Sequence, residues 1–330
     1  MPEPLTDIPE FKSAVGLIIK DFVSEKIAIG YKYTEGARSL RCFDRFLWAK
    51  GLDKCALPEP LVREWTHERN GECPATQRAR FRLIRQLAKF MMDRGHDAYQ
   101  PPRYLEPVAP AQSNFTPYIF THEEIRRLFN AIDELRPAYN SPLRHLVWPE
   151  LFRVLYGCGL RMGEAIRLTF ADCDLQQGIL TIRKSKFRKD RLVPVVPGLN
   201  SRLVLMCGRL GQRPLGSPLF PKHTGKPYNR RGVYHAFRDL LNRSGVAHRG
   251  KGKGPRAHDL RHTFAVHRLQ KWYQEGIDLS SRLPVLAAYM GHRNFNCTQR
   301  YLHLTLELGA DLSGRLEQRY GWVIPRRKDQ

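Results

Sequence analysis

At 330 residues, 42% of them hydrophobic, the chain is long enough for two domains with real cores. Its 55 Lys and Arg against 32 Asp and Glu leave a formal net charge of +23, which favours a polyanionic partner, either nucleic acid or an anionic membrane surface. No apolar run approaches the roughly 20 residues that span a bilayer, Met1-Pro2-Glu3-Pro4 lacks a signal-peptide layout, and seven dispersed cysteines without a Cys-x-x-Cys pair argue against disulfides or structural zinc and for a reducing, cytoplasmic setting.

Residues 1–108 hold 18 basic and 15 acidic side chains, whereas 109–330 hold 37 and 17. The first stretch reads as all-helical: Phe11, Val15, Ile18 and Phe22 share one helical face, as do Leu40, Phe43 and Leu47. Its last helix carries an apolar stripe, Phe81, Ile84, Ala88 and Met91, beside a separate basic one, Arg78, Arg82, Arg85 and Lys89. Four cations on one stripe are candidates for DNA-backbone contacts, against the alternative of a solvated face. Prolines at 101, 102, 107, 110 and 117 forbid a helix and mark an interdomain seam, with domains set at 1–108 and 118–330 and a linker at 109–117.

Beyond the seam, Thr121-His122-Glu123-Glu124 has the form of a capping box opening a helix that buries Ile125, Leu128, Phe129 and Ile132. An apolar helix around 146–156 breaks at Gly157 and Gly159, and the next begins near Met162. Residues 179–184 and 192–196 read as two strands joined by a basic turn holding Lys184, Lys186, Arg188 and Lys189. Helices follow around 230–242, 257–273, 283–290 and from 298 onward, with the segment 276–286 read as a longish loop. Gly250 to Gly254, with Lys251 and Lys253, is either a solvated loop or a flexible contact to DNA.

Breaking DNA without a metal requires a nucleophile, charge neutralisation at the phosphate and a proton for the leaving oxygen. Arg161 in a turn between helices and Arg261, one helical turn after His258, can bind non-bridging phosphate oxygens. Tyr301 follows Thr298, a candidate N-cap, and so projects from the first turn of a helix. Each is weak alone: Tyr301 is one of 13 tyrosines, and most arginines in so basic a chain are solvated. No carboxylate cluster has the spacing of a metal nuclease.

The order of the motifs is more specific. Gly159-Leu160-Arg161-x-Gly163-Glu164, a basic turn ending Asp190-Arg191-Leu192-Val193-Pro194, His258-x-Leu260-Arg261-His262, Met290-Gly291-His292 and Thr298-x-x-Tyr301 together resemble the catalytic domain of the tyrosine recombinases, the phage-integrase-like family. The resemblance runs from about Phe120 to Leu304; the first half resembles only the helical, SAM-like core-binding domain of that family. It implies a mainly α fold with a small antiparallel β-sheet (α+β), two domains closing on duplex DNA as a clamp, and a chain without room for the arm-site domain of larger integrases.

By that resemblance Tyr301 would attack the scissile phosphate, giving a 3′-phosphotyrosine and a free 5′-hydroxyl. Arg161, Arg261 and His292 would hold the phosphate, His258 would assist proton movement at the tyrosine, and Lys186, with Lys184 as its rival, would protonate the leaving oxygen. Glu164 would orient the arginines, and His262 would make a structural hydrogen bond beside the site. No cofactor or metal is implied. The expected partner is double-stranded DNA at a specific site, bound by a homo-tetramer on two sites, alone or with related recombinases, in a nucleoid-associated and not a membrane setting. Residues after Tyr301 would dock on a neighbouring protomer or pack in cis. The competing readings are a type IB topoisomerase and a catalytically silent DNA-binding protein on the same fold.

Overall fold

The computed structural model describes residues 10–31, 33–102, 116–183, 190–248, 250, 254–292, 298–299, 301–302 and 304. The chain divides into two compact units, 1–115 and 116–330. The expected linker, 109–117, lies outside the described residues except for Thr116 and Pro117.

In the first unit the described helices are α1 (Gly16–Ala28), α2 (Thr34–Ala49), α3 (Glu59–Thr66) and α4 (Pro74–Met92). Apolar residues three and four apart supply the shared core: Val15, Ile19 and Phe22 from the first helix, Leu40, Phe43 and Leu47 from the second, Ile84, Ala88 and Met91 from the fourth. Two buried charged side chains brace this unit. Asp44, 1% exposed, accepts from the backbone N–H groups of Lys12 (2.7 Å) and Ser13 (3.0 Å) and from the Ser13 hydroxyl (2.6 Å), tying the incoming chain to α2. Arg80 reaches Glu72 and the carbonyl oxygens of Trp65 and His67, locking α4 to the loop before it.

The second unit runs α5 (His122–Asp133), α6 (Arg144–Gly157), α7 (Met162–Ala165), a 3-10 turn, then strands β1 (Cys173–Asp174), β2 (Ile179–Ile182) and β3 (Arg191–Pro194). Helices α8 (Pro197–Leu210), α9 (Arg230–Arg243), α10 (Asp259–Gln274) and α11 (Leu279–Met290) follow. The strands form an antiparallel sheet in the order β1-β2-β3, with Leu180 opposite Val193 and Ile182 opposite Arg191. Alternation along β2 buries Leu180 and Ile182 in the core. Helix α6 is apolar on several sides because it is packed by α5, α8 and α10.

The capping box at α5 forms as expected: Glu124 N–H donates to the Thr121 hydroxyl (3.1 Å) and Thr121 N–H to the Glu124 carboxylate (2.9 Å). Three elements were not legible. Strand β1 is only two residues long, and α8 opens at Pro197 without a polar N-cap. The helix expected at 283–290 begins earlier, at Leu279, inside the segment 276–286 expected as a loop, and it continues through Pro284. Asp278 accepts from Ser280 and Ser281 N–H groups (3.0 and 3.1 Å), so a strong cap starts the helix, and Pro284 removes one donor early in it. No described helix is long and apolar enough to cross a membrane.

Candidate active site

The last carbonyl groups of an α-helix have no partner inside the helix and carry its negative partial charge. At the end of α11 three consecutive carbonyl oxygens accept from three arginines. Tyr289 O receives Arg191 Nε at 2.9 Å, Met290 O receives Arg261 Nη2 at 2.7 Å and Gly291 O receives Arg161 Nη2 at 2.9 Å. Gly291 ends the helix in the left-handed region (φ 67°), where a Cβ would come within 2.9 Å of the Arg191 guanidinium.

Each arginine arrives from a different element. Arg191 opens β3. Arg161 caps α7, its N–H donating to Glu164 Oε2 (3.0 Å) and its Nη1 to Glu164 Oε1 (2.7 Å). Arg261, 2% exposed, lies in the first turn of α10 and also donates Nη1 to Gly159 O at 2.5 Å. Gly159 itself has φ 58°, and a Cβ there would stand 2.4 Å from Phe264 Cδ1, so only glycine lets this turn present its carbonyl to Arg261.

Glu164, 4% exposed, balances the cluster by bridging Arg161 and Arg191, the latter at 2.8 Å. Burial alone would raise its pKa; the hydrogen bonds and charge of Arg191, then Arg161, overcome this and hold it at about 2. Burial, then the like charge of Arg161, pushes Arg261 down to about 10, with Tyr301 and Glu164 opposing, so it stays charged at neutral pH. Three guanidiniums and one carboxylate leave two net positive charges.

The histidines and the tyrosine border this cluster. His292 Nδ1 is 2.7 Å from the Thr298 hydroxyl, and burial followed by the charges of Arg261, Arg161 and Arg191 pushes its pKa down to about 3. Thr298, expected as an N-cap, is itself helical, and its hydroxyl is engaged with His292. Tyr301, 4% exposed, stacks toward His292 with ring centroids 6.1 Å apart. Its hydroxyl is 2.8 Å from His262 Nδ1. His258, to which the resemblance gives the proton task, occupies the N-cap position of α10 and stands edge-on to the His262 ring, centroids 4.9 Å apart. Burial, then the charges of Arg261, Arg256 and Arg161, pushes His258 down to about 4.

Arg161, His258, Arg261, His292 and Tyr301 are thus gathered within one unit. Lys186 lies outside the described residues, as do Lys184, Arg188, Lys189, Lys251 and Lys253. On α4, Arg82 and Lys89 are exposed, but Lys89 pairs with Asp93 (3.0 Å), Arg85 donates to Pro101 O, and Arg78 is half-buried. Two features went unassigned from sequence. One is Arg191, second in its motif and bonded to the Glu164 carboxylate. The other is an exposed α9 face of Arg231, Tyr234, His235 and Arg238, whose i, i+3, i+4, i+7 spacing was the available signal.

The model of the phage integrase family matches residues 119–307, more than half of the chain. A Sinorhizobium fredii (strain NBRC 101917 / NGR234) protein named as an integrase/recombinase is 31% identical over 307 residues, covering 92% of this chain and 96% of that one. The tyrosine recombinase XerC of Staphylococcus carnosus is 29% identical over 236 residues, 67% of this chain and 68% of its own. Among solved structures, the Tn1549 transposon integrase (residues 82–397) in complex with circular intermediate DNA shares the fold, with a TM-score of 0.63 at 17% identity over 88% of this chain and 95% of that one. With this sequence kinship, this fold and this arrangement of arginines, histidines and tyrosine, the chain belongs to the phage integrase family, the tyrosine recombinases that carry out site-specific DNA recombination.

Proposed function

We propose that the chain breaks and rejoins duplex DNA at a specific site through a 3′-phosphotyrosine on Tyr301. In the first step the phenolic oxygen bonds to phosphorus and the bond to the 5′ oxygen breaks, that oxygen taking a proton from Lys186. Rejoining runs the steps backwards with a 5′-hydroxyl from another strand. The phosphotyrosine conserves the bond energy, so no ATP is consumed.

The observation that carries this reading is the convergence of Arg161, Arg261, His292 and Tyr301 at the end of α11. A guanidinium has five N–H donors. Two carbonyl bonds fix the Arg261 plane and leave other donors for the non-bridging oxygens, which gives preorganisation without reorganisation cost during reaction. The two net positive charges match a pentacoordinate phosphorane, which carries one more negative charge than the starting phosphodiester. His292, neutral by burial, contributes hydrogen bonding to the phosphate.

The partner in this reading is double-stranded DNA, gripped by domains corresponding to 1–108 and 118–330 joined through the proline-rich 109–117. Arg78, Arg82, Arg85, Lys89 and the loop cations Lys184, Arg188, Lys189, Lys251 and Lys253 contact its backbone, joined by the exposed face of α9. Four protomers assemble on two sites, alone or with related recombinases. The relevant test uses a suicide substrate nicked beside candidate sites from the DNA flanking the native locus, in EDTA, with wild type and Tyr301→Phe. A covalent adduct lost in the variant is expected; cleavage surviving in the variant would overturn the assignment of the nucleophile.

A further inference from the structure

A phenol ionises near pH 10, so a tyrosine that attacks phosphorus at neutral pH must hand its proton to a neighbour. Resting on the reading of Tyr301 as nucleophile, we propose that His262 is the proton acceptor, with Nδ1 unprotonated and bonded to the phenolic O–H.

The geometry distinguishes His262 from the other two histidines. Its Nδ1 stands 2.8 Å from the Tyr301 hydroxyl, within the distance a general base requires. His292 has Nδ1 turned to the Thr298 hydroxyl, and its ring lies nearly parallel to the phenol (24°), face toward face. His258 meets the His262 ring edge-on at 88°. Adjacent positions on a helix point about 100° apart. In the first turn of α10, Arg261 therefore reaches the α11 carbonyls while His262 reaches the helical turn bearing Tyr301. One turn of one helix thus sets both the phosphate grip and the proton acceptor.

The step balances as follows. As the Tyr301 oxygen bonds to phosphorus, its proton passes to His262 Nδ1, giving an imidazolium; the P–O5′ electron pair leaves with the 5′ oxygen, which takes the Lys186 proton. On rejoining, Lys186 takes the proton of the incoming 5′-hydroxyl, and His262 returns its own to the departing phenolate. No proton or electron is left over.

His262→Gln retains hydrogen-bonding capacity without basicity. Adduct formation on the suicide substrate is measured from about pH 6 to about pH 10, spanning the imidazole and phenol ranges. A second substrate carries a 5′-bridging sulfur, a leaving group that needs no proton. The expected result is a loss of about 10²–10³-fold near neutrality, shrinking as pH rises toward the phenol's own ionisation and unchanged by the sulfur substrate. Placing 3,5-difluorotyrosine, a more acidic phenol, at position 301 of the variant narrows the loss. A wild-type rate and pH profile in H262Q, a loss equal at every pH, or rescue by the bridging sulfur would overturn the proposal. DNA binding and thermal melting accompany each rate; if H262Q melts below the assay temperature, His262→Asn replaces it. An adduct persisting in Tyr301→Phe instead refutes the nucleophile, so the two failures are distinct.

Discussion

Arg261 of α10 donates to the Met290 carbonyl oxygen at the end of α11 across 2.7 Å, and its other terminal nitrogen donates to Gly159 O. One buried guanidinium thereby joins the turn after α6 to the ends of two other helices. In the proposed function this structural staple also holds the phosphate, so its planar fork matters twice. A lysine offers one compact ammonium and cannot span both carbonyls in one plane. Arg261→Lys is expected to lower covalent adduct formation by about 10²–10³-fold with DNA affinity largely kept, checked by single-turnover cleavage beside a binding titration.

Gly159→Ala tests the other end of that staple. At φ 58° an alanine is strained, and its Cβ would collide with the Phe264 ring. A loss of more than about 1 kcal/mol in stability is expected, read from urea midpoints. Cleavage falls further than stability alone explains, because the Gly159 carbonyl moves off Arg261. In the double variant with Phe264→Leu, stability recovers in part while the φ strain remains.

Glu164→Gln leaves Arg161 and Arg191 beside a neutral amide. The carboxylate is 2% exposed at its side chain and Arg191 11%, so both charges are desolvated. Breaking such a buried pair costs about 3–5 kcal/mol, measurable as a lowered unfolding midpoint.

Stability should also fall in mild acid. His267 is bonded to the Tyr156 hydroxyl (2.9 Å) and stacked on His122 at 3.9 Å. Burial, then the charge of His122, pushes it down to about 4. An unfolded histidine titrates near 6.5, so between these values the unfolded chain binds more protons. The contribution is complete above about pH 6.5 and is lost as pH falls toward 4, with a slope of at most about 1.4 kcal/mol per pH unit per histidine. His258 and His292 shift in the same direction and share the window. Denaturant midpoints at several pH values should show the decline, and His267→Gln should flatten part of it.

DNA affinity should fall steeply with salt, as it does when cations displace condensed counterions. Arg231→Ala and Arg238→Ala, on the exposed face of α9, should each reduce the slope of log affinity against log salt by about one. Affinity indifferent to salt would remove α9 from the interface.

Much of the fold was legible because its signals are local. Thr121 and Glu124 announce the start of α5 by their spacing, Gly157 and Gly159 the stop of α6, and alternation at 179–182 a strand. The helix expected at 283–290 shows the limit: it starts earlier, at Leu279, because Asp278 caps it and burial of Leu283, Leu286 and Met290 outweighs the donor lost at Pro284. The two-residue β1 exists only by pairing with β2 and has no pattern of its own.

For the site, sequence alone determined which residue types occur in which order, and that order was enough to identify the family and to nominate Arg161, His258, Arg261, His292 and Tyr301. It could not decide which side chain touches which, because these groups come from segments up to 140 residues apart (Arg161 to Tyr301) and meet only when α6, α10 and α11 pack. Tertiary structure decided that three arginines share the carbonyls ending α11, that Glu164 serves two of them, and that His262 meets the tyrosine. The physical reason is distance: capping and periodicity are fixed by neighbours in the chain, whereas a hydrogen bond between distant residues depends on how whole helices are packed.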